Sequence, residues 1–181
     1  VMYQPLAVVT HFEGVSHGTD TGVGTKAYQV WNKRRFADKW QQVLSQHRSN
    51  GVEPMLERDR PARARILWIE ACMLTPDQDS GSLRTIRLLR ILVRMGCKVT
   101  FVADNLDGEE QYRSQLSREG VEVIHAPFFS SVRDYLRQHG AEFDIVTLCR
   151  HYIAIQHIQT VRDVIPAAKI WFDTIDLHYL R

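Results

Sequence analysis

WIEACMLTPDQDSGSLRTIRLLR, residues 68–90, decides the fold. It leaves a short apolar run, crosses a polar turn with one glycine, and enters a segment whose apolar residues recur every three or four positions. That change of period marks a strand, a turn and a helix in succession. In the helical part Leu83, Ile86, Leu89 and Val93 form a stripe, widened by Leu92 and Met95, that is expected to face a sheet. Arg84, Arg87, Arg90 and Arg94 fall largely on the solvated side, and Gly96 is placed to end the helix in a left-handed cap. At the front, Asp79, Ser80 and Ser82 are good capping residues. The helix's first N–H groups are therefore either satisfied internally or turned toward an anion such as phosphate. DSGS holds one glycine where a dinucleotide fingerprint needs three, and no Gly-Lys-Ser/Thr of a P-loop follows. The turn alone leaves cap and cradle both open.

The same alternation continues to the end of the chain. ARILWIEA, KVTFVAD, VEVIHAP, FDIVTLC and KIWFDTI read as strands. SLRTIRLLRILVRMG, EEQYRSQLSREG, SVRDYLRQHG and IAIQHIQTVRDVI read as the helices between them. Apolar runs rich in Val and Ile, separated by helices, predict parallel strands covered on both faces. Residues 65–181 thus predict an α/β domain, a Rossmann-like doubly wound parallel sheet, with its ligand crevice at the strands' carboxyl ends. Ahead of it, residues 48–64 (RSNGVEPMLERDRPARA) carry Gly, Pro and mixed charge without periodicity, the composition of a linker. Residues 1–47 form a separate segment, in which KAYQVWNKRRFADKW reads as an amphipathic helix with Tyr28, Trp31, Phe36 and Trp40 on or near its buried side, aromatics that need another surface, from the second domain or a neighbouring chain, to cover them. Val1 reads as mid-strand and Arg181 as just past one, so the chain is expected to be a piece of a longer polypeptide.

Composition narrows the classes. With 44% hydrophobic and 24% charged residues the chain is ordinary globular material. Lys+Arg 23 against Asp+Glu 21 leaves a net charge of +2, which gives a nucleic-acid partner no support from bulk electrostatics. Cys72, Cys97 and Cys149 have no metal-ligand spacing and sit in or beside apolar strands, so reduced core thiols in a cytoplasmic protein are expected. No apolar run approaches the roughly 20 residues that span a bilayer.

Polar residues end each strand: Asp104 and Asn105, His125 and Pro127, Arg150 and His151, Asp173 and Asp176. Their types suit either caps and turns or a ligand rim, and His125, between Ile124 and Ala126, reads as a hydrogen-bonded core histidine. A phosphorylatable receiver domain is disfavoured because neither the third nor the fourth strand ends in aspartate. A nicotinamide enzyme is disfavoured by the missing three-glycine turn.

ILWIEACMLTPDQDSGSLRTIRLLRILVRMGCKVTFVADN, with GVEVIHAP, FDIVTLCRHYIA and IWFDTIDLHYLR, resembles the N-terminal half of bacterial family 4 glycosyltransferases of the two-Rossmann GT-B type. The resemblance spans about residues 65–181 and is most specific in TPDQDSGSLR and FDTIDLHYLR. It implies that Asp79, Ser80, Gly81, Ser82 and Arg84 line the cleft between halves. It also implies that His151 approaches the donor sugar as the catalytic histidine, and that Asp173, Asp176 and Arg181 stand beside the crossing to the other half. The partners implied are a nucleotide-sugar donor and a glycan or lipid-linked acceptor, alongside membrane-associated proteins of surface-polysaccharide assembly. No cofactor is implied for this half.

YQPLAVVTHFEGVSHGTDTGVGTKAYQVWNKRRFADKW resembles the tail of a family 2 glycosyltransferase of the GT-A type, whose DxD-type metal site would lie upstream. By that analogy His11 completes a divalent metal site, with Glu13 and His17 nearby. HFEGVSH lacks the H-E-x-x-H spacing of a zinc helix. The resulting expectation is a truncated glycosyltransferase, inactive alone. The competing expectation is a non-catalytic α/β module that binds a ligand or partner through the same rim.

Overall fold

The computed structural model describes residues 8–10, 12 and 18–175, which divide into two compact units, Val1–Glu53 and Pro54–Arg181. The sequence candidates His11, Glu13, His17, Asp176 and Arg181 lie outside the described residues.

In the first unit a 3-10 turn at Gly24–Lys26 leads into α1 (Ala27–Lys39) and the short α2 (Gln41–Leu44). Tyr28, Trp31, Phe36 and Trp40, read as the side of the helix that another surface must cover, are all exposed, Trp31 at 65%. The residues explain why. One turn after Trp31 comes Arg35, and one turn after that Lys39, so no continuous apolar stripe forms along that face. Phe36 and Trp40 instead pack on each other at 6.4 Å, with the Lys39 ammonium 5.3 Å from the Trp40 ring centre.

The second unit opens with a short helix, α3 (Pro54–Arg58), inside the stretch whose composition suggested a linker. It is tied down by Arg65, whose guanidinium donates to the carbonyls of Leu56 (3.3 Å) and Asp59 (3.4 Å). Then come β1 (Arg65–Glu70), α4 (Ser80–Arg94), β2 (Lys98–Ala103), α5 (Glu110–Arg118), β3 (Val121–Ile124), α6 (Val132–His139), β4 (Ile145–Cys149), α7 (His151–Val164) and β5 (Lys169–Asp173). All four strand pairings are parallel, in the order β3-β2-β1-β4-β5. The protein is α/β with a doubly wound, Rossmann-like sheet, as the periodicity predicted.

Strand alternation divides the core. Leu67, Ile69, Val102, Val146 and Leu148 point to one face and pack with α6 and α7 residues such as Leu136, Ile153 and Val161. Trp68, Val99, Phe101 and Cys149 point to the other and pack with Ile86, Leu89, Tyr112 and Leu116 of α4 and α5. In α4 the buried stripe is Ser82, Thr85, Ile86 and Leu89, whereas Met95, expected at its edge, is exposed. Met95 falls at the C-cap, where the helix has already run past the sheet, and Gly96 at φ +83° then turns the chain as its lack of a side chain allows.

Among the described residues no helix is long and apolar enough to cross a membrane. After β3 the chain crosses to the far side of β1. The reversal of strand order therefore falls between β1 and β4, where such sheets open a crevice at the strands' carboxyl ends.

Candidate functional site

At this switch point the structure gathers Glu70 from the end of β1, the loop 71–79, the first turn of α4, Arg150 after β4 and Asp173 at the end of β5. Glu70 is 2% exposed and accepts two hydrogen bonds on Oε1, from the Ala71 N–H (3.0 Å) and from Arg150 Nε (3.1 Å). Arg150 adopts φ 73° and ψ 148°, a region that normally requires glycine. Three bonds hold it there: its N–H donates to the Asp173 carbonyl (2.8 Å), its carbonyl accepts from Ala154 N (3.1 Å), and its side chain is anchored by Glu70. The anchored guanidinium reaches over the start of α4, where a Cβ added to Gly81 would lie 4.0 Å from Arg150 Nη2. The tighter neighbour of that Cβ is Asp79 Oδ1 at 3.0 Å, so glycine there leaves room for the capping carboxylate.

The first turn of α4 is capped from within. Asp79 takes the Ser82 N–H on Oδ1 (2.7 Å), and its Oδ2 accepts from the hydroxyls of Ser82 (2.5 Å) and Thr75 (3.1 Å). Partial desolvation pushes the Asp79 carboxyl up, but the bonds from Ser82, Thr75 and Gly81 outweigh it and hold the group below its usual value. The start of α4 is thus capped internally, with the Asp79 carboxylate beside the first N–H groups.

A carboxyl depressed by folding stabilises the protein above its unfolded value, near 3.9, and the gain is lost as pH falls through the folded value. Asp79→Ala is thus expected to cost about 1 kcal/mol at pH 7. Urea titrations repeated at descending pH should show that difference shrinking below about pH 4; a difference constant with pH would show that the carboxylate is not the stabilising group.

Arg84, one turn further on, reaches back across the sheet edge to Asp173, with Nη1 2.6 Å from Oδ2. Ser80 is exposed at the first helical position. His151, the first residue of α7, is exposed and sits edge-on to Tyr152 with ring centres 5.3 Å apart. So Asp79 and Ser82 are joined, Arg84 and Asp173 are joined, and Gly81 lies beside Arg150, while His151 is turned to the surface.

Cysteine and histidine expectations need revision. Cys149 is buried, and Cys97 is half-buried, but Cys72 is exposed at the crevice, on the loop just after β1 rather than in it. Its thiol is pushed up by the desolvating protein around it and by the Glu70 carboxylate, with Arg150 opposing, so it is held as thiol rather than reactive thiolate. His125 is not a core residue. It is half-buried, with Nδ1 2.5 Å from the Ala126 carbonyl and its ring edge-on to Phe128. Ile124 is the last paired residue of β3, so His125 lies just beyond the sheet and packs against Gly108 rather than in the core.

The core histidine is His157, 3% exposed, with Nε2 2.6 Å from Asp104 Oδ1, and Gln156 donates to both oxygens of the same carboxylate at 3.1 Å. Ile153, His157 and Val161 recur at spacings of four on the buried stripe of α7, a signal present in the sequence. Glu70 carried one too, as an acid closing an otherwise apolar strand.

Among the described residues no group of three or more His, Cys, Asp or Glu side chains could hold a metal ion. The crevice offers one anchored cation, a self-capped helix start and hydrogen-bonding hydroxyls, which is equipment for binding and orienting an anionic or polyhydroxylated ligand. Fold and site together define a doubly wound α/β domain with a polar crevice at its switch point. Comparison with family models, curated proteins and solved structures finds no match to this chain.

Proposed function

We propose that the chain contributes the acceptor-side half of a two-Rossmann, GT-B-type glycosyltransferase, preceded by the tail of a GT-A-type domain. In this reading a nucleotide sugar gives up its sugar to a glycan or lipid-linked acceptor in cytoplasmic assembly of surface polysaccharide. The bond from the anomeric carbon to the diphosphate oxygen breaks, the diphosphate keeps the electron pair, and the acceptor hydroxyl oxygen forms the new bond while its proton passes to the departing diphosphate. The observation that carries the proposal is Arg150, a strained residue anchored by buried Glu70 at the switch point. Strain of about 1–3 kcal/mol persists where function repays it, and a fixed cation at a crevice stabilises charge that builds on a leaving group. The segments TPDQDSGSLR and FDTIDLHYLR add the sequence resemblance. In this reading the chain alone is inactive, the donor being gripped by the other half.

The non-catalytic binding module draws on a different observation, the internal capping of α4 by Asp79, which leaves the helix start little affinity for phosphate.

Transfer by the full-length polypeptide across a panel of nucleotide sugars separates the two. Ser80→Ala, Arg84→Ala and Arg150→Lys, each checked for an unchanged melting temperature, are expected to lower kcat/KM tenfold or more; the lysine keeps the charge but loses the fork that serves Glu70 and a ligand at once. No turnover of any donor, or three stable variants that transfer like the parent, would overturn the proposal.

A further inference from the structure

The loop between β1 and α4 is held differently in its two halves. Its first half is pinned in the core: Met73 and Leu74, 3% and 2% exposed, belong to the cluster on the α4 and α5 side of the sheet. Its second half stands out as a tight turn, in which Gln78 N and Asp79 N both donate to the Thr75 carbonyl, at 2.9 and 3.1 Å, while Asp77, Gln78 and Asp79 are exposed. The Thr75 hydroxyl and the Asp79 cap close the base of this turn on the start of α4. Among the described residues, the hydrogen bonds that reach its tip from outside the loop both involve one side chain. The Tyr112 hydroxyl, on α5, accepts from Gln78 Nε2 at 2.9 Å and donates to Asp77 Oδ2 at 3.2 Å. Tyr112 is 5% exposed, and its ring packs in the same cluster as Met73 and Leu74.

We propose that Tyr112 is a positioning residue for the crevice: from α5 it fixes the turn 75–79, and through that turn it sets where Asp79 and Ser80 stand. For the reaction it serves, this rests on the glycosyltransferase reading. A phenol ring held in a core with its hydroxyl at a polar surface is suited to locate an exposed turn, because the hydroxyl donates to one side chain and accepts from the next and so fixes both. The two bonds add little to folding, since Asp77 and Gln78 are exposed and bond water when the hydroxyl is removed. Their effect on turnover is larger, because a displacement of about 1 Å at a reacting centre costs on the order of 100-fold in rate.

Tyr112→Phe keeps the ring and removes the hydroxyl. In the full-length polypeptide, with a nucleotide sugar that the parent turns over, it is expected to lower kcat about tenfold while KM for that donor moves less than about threefold, with little change in melting temperature. Val121→Ala opens the same cluster at the amino end of β3, the opposite end of the sheet from the turn, so it should lower the melting temperature more and leave kcat within about twofold. Added to Ser80→Ala, the loss of the hydroxyl should cost less than about threefold further, because it acts through the turn that carries Ser80. In ¹⁵N-labelled protein, Tyr112→Phe should speed amide exchange at Gln78 and Asp79 and not in β1 or α5. Unchanged exchange at those two amides, an equal fall of kcat in Val121→Ala, or full additivity with Ser80→Ala would each defeat the assignment. A parent that turns over no nucleotide sugar overturns the glycosyltransferase reading and this role with it. A parent that transfers sugar equally well with and without the hydroxyl overturns the positioning role alone.

Discussion

Phe101→Ala is expected to destabilise the unit Pro54–Arg181 by about 3–5 kcal/mol, the largest single effect in the protein. Phe101 is 0% exposed on β2, pairs with Trp68 on one side and Val123 on the other, and belongs to the cluster that α4 and α5 close. The loss combines the transfer energy of a phenyl ring with a cavity that two neighbouring strands, fixed by their own hydrogen bonds, have little freedom to fill. A domain of this size is stable by about 5–15 kcal/mol, so the variant should keep a third or more of its population unfolded only if the parent lies at the lower limit. Urea unfolding followed by circular dichroism checks the value. The midpoint should fall while the slope stays constant; an unfolding free energy within about 1 kcal/mol of the parent's would mean that the cluster rearranges around the gap.

Arg150→Ala is expected to cost about 2–3 kcal/mol, which is large for a residue half open to solvent. The cost arises at Glu70, whose buried carboxylate would keep one backbone N–H and lose its cation. Two companion variants identify the cause. In a Glu70→Gln background the uncompensated charge is gone, so the same arginine replacement should cost at least 1 kcal/mol less, the mark of a coupled pair. Arg150→Gly should be less harmful than Arg150→Ala by about 1 kcal/mol, because glycine adopts φ 73° without strain. Additive costs in the double variant, or alanine and glycine behaving alike, would show that neither the ion pair nor the backbone strain governs stability here.

Legibility from sequence differed sharply between the two units. In residues 65–173 the five β-strands and four α-helices follow from a period written in the chain, while the 3-10 turn Gly140–Glu142 does not. Isoleucine, valine and leucine runs define the strands, and i, i+3, i+4 stripes define the helices, since local periodicity and burial on a two-faced sheet demand the same residues. In α1 the helix also follows from the pattern, but Arg35 and Lys39 interrupt its aromatic side, which stays exposed. His125, expected in the core, lies just past a strand's end and is only half-buried, whereas His157 sits at helical spacing on the buried stripe of α7 and is carried inward.

At the site, the sequence determined the element types, the self-capping residues Asp79 and Ser82, and the glycine that opens the helix start, all of which act within a few positions along the chain. Tertiary structure alone decided the pairings that cross it: Glu70 with Arg150, Arg84 with Asp173, Asp104 with His157, and Trp68 with Thr147 and Trp171. The partners in these sets are separated by 24 to 103 residues and meet only because parallel strands fall into one order and register. No local propensity encodes that meeting. It follows from which strand lies beside which, and that is settled by burying two apolar faces at once.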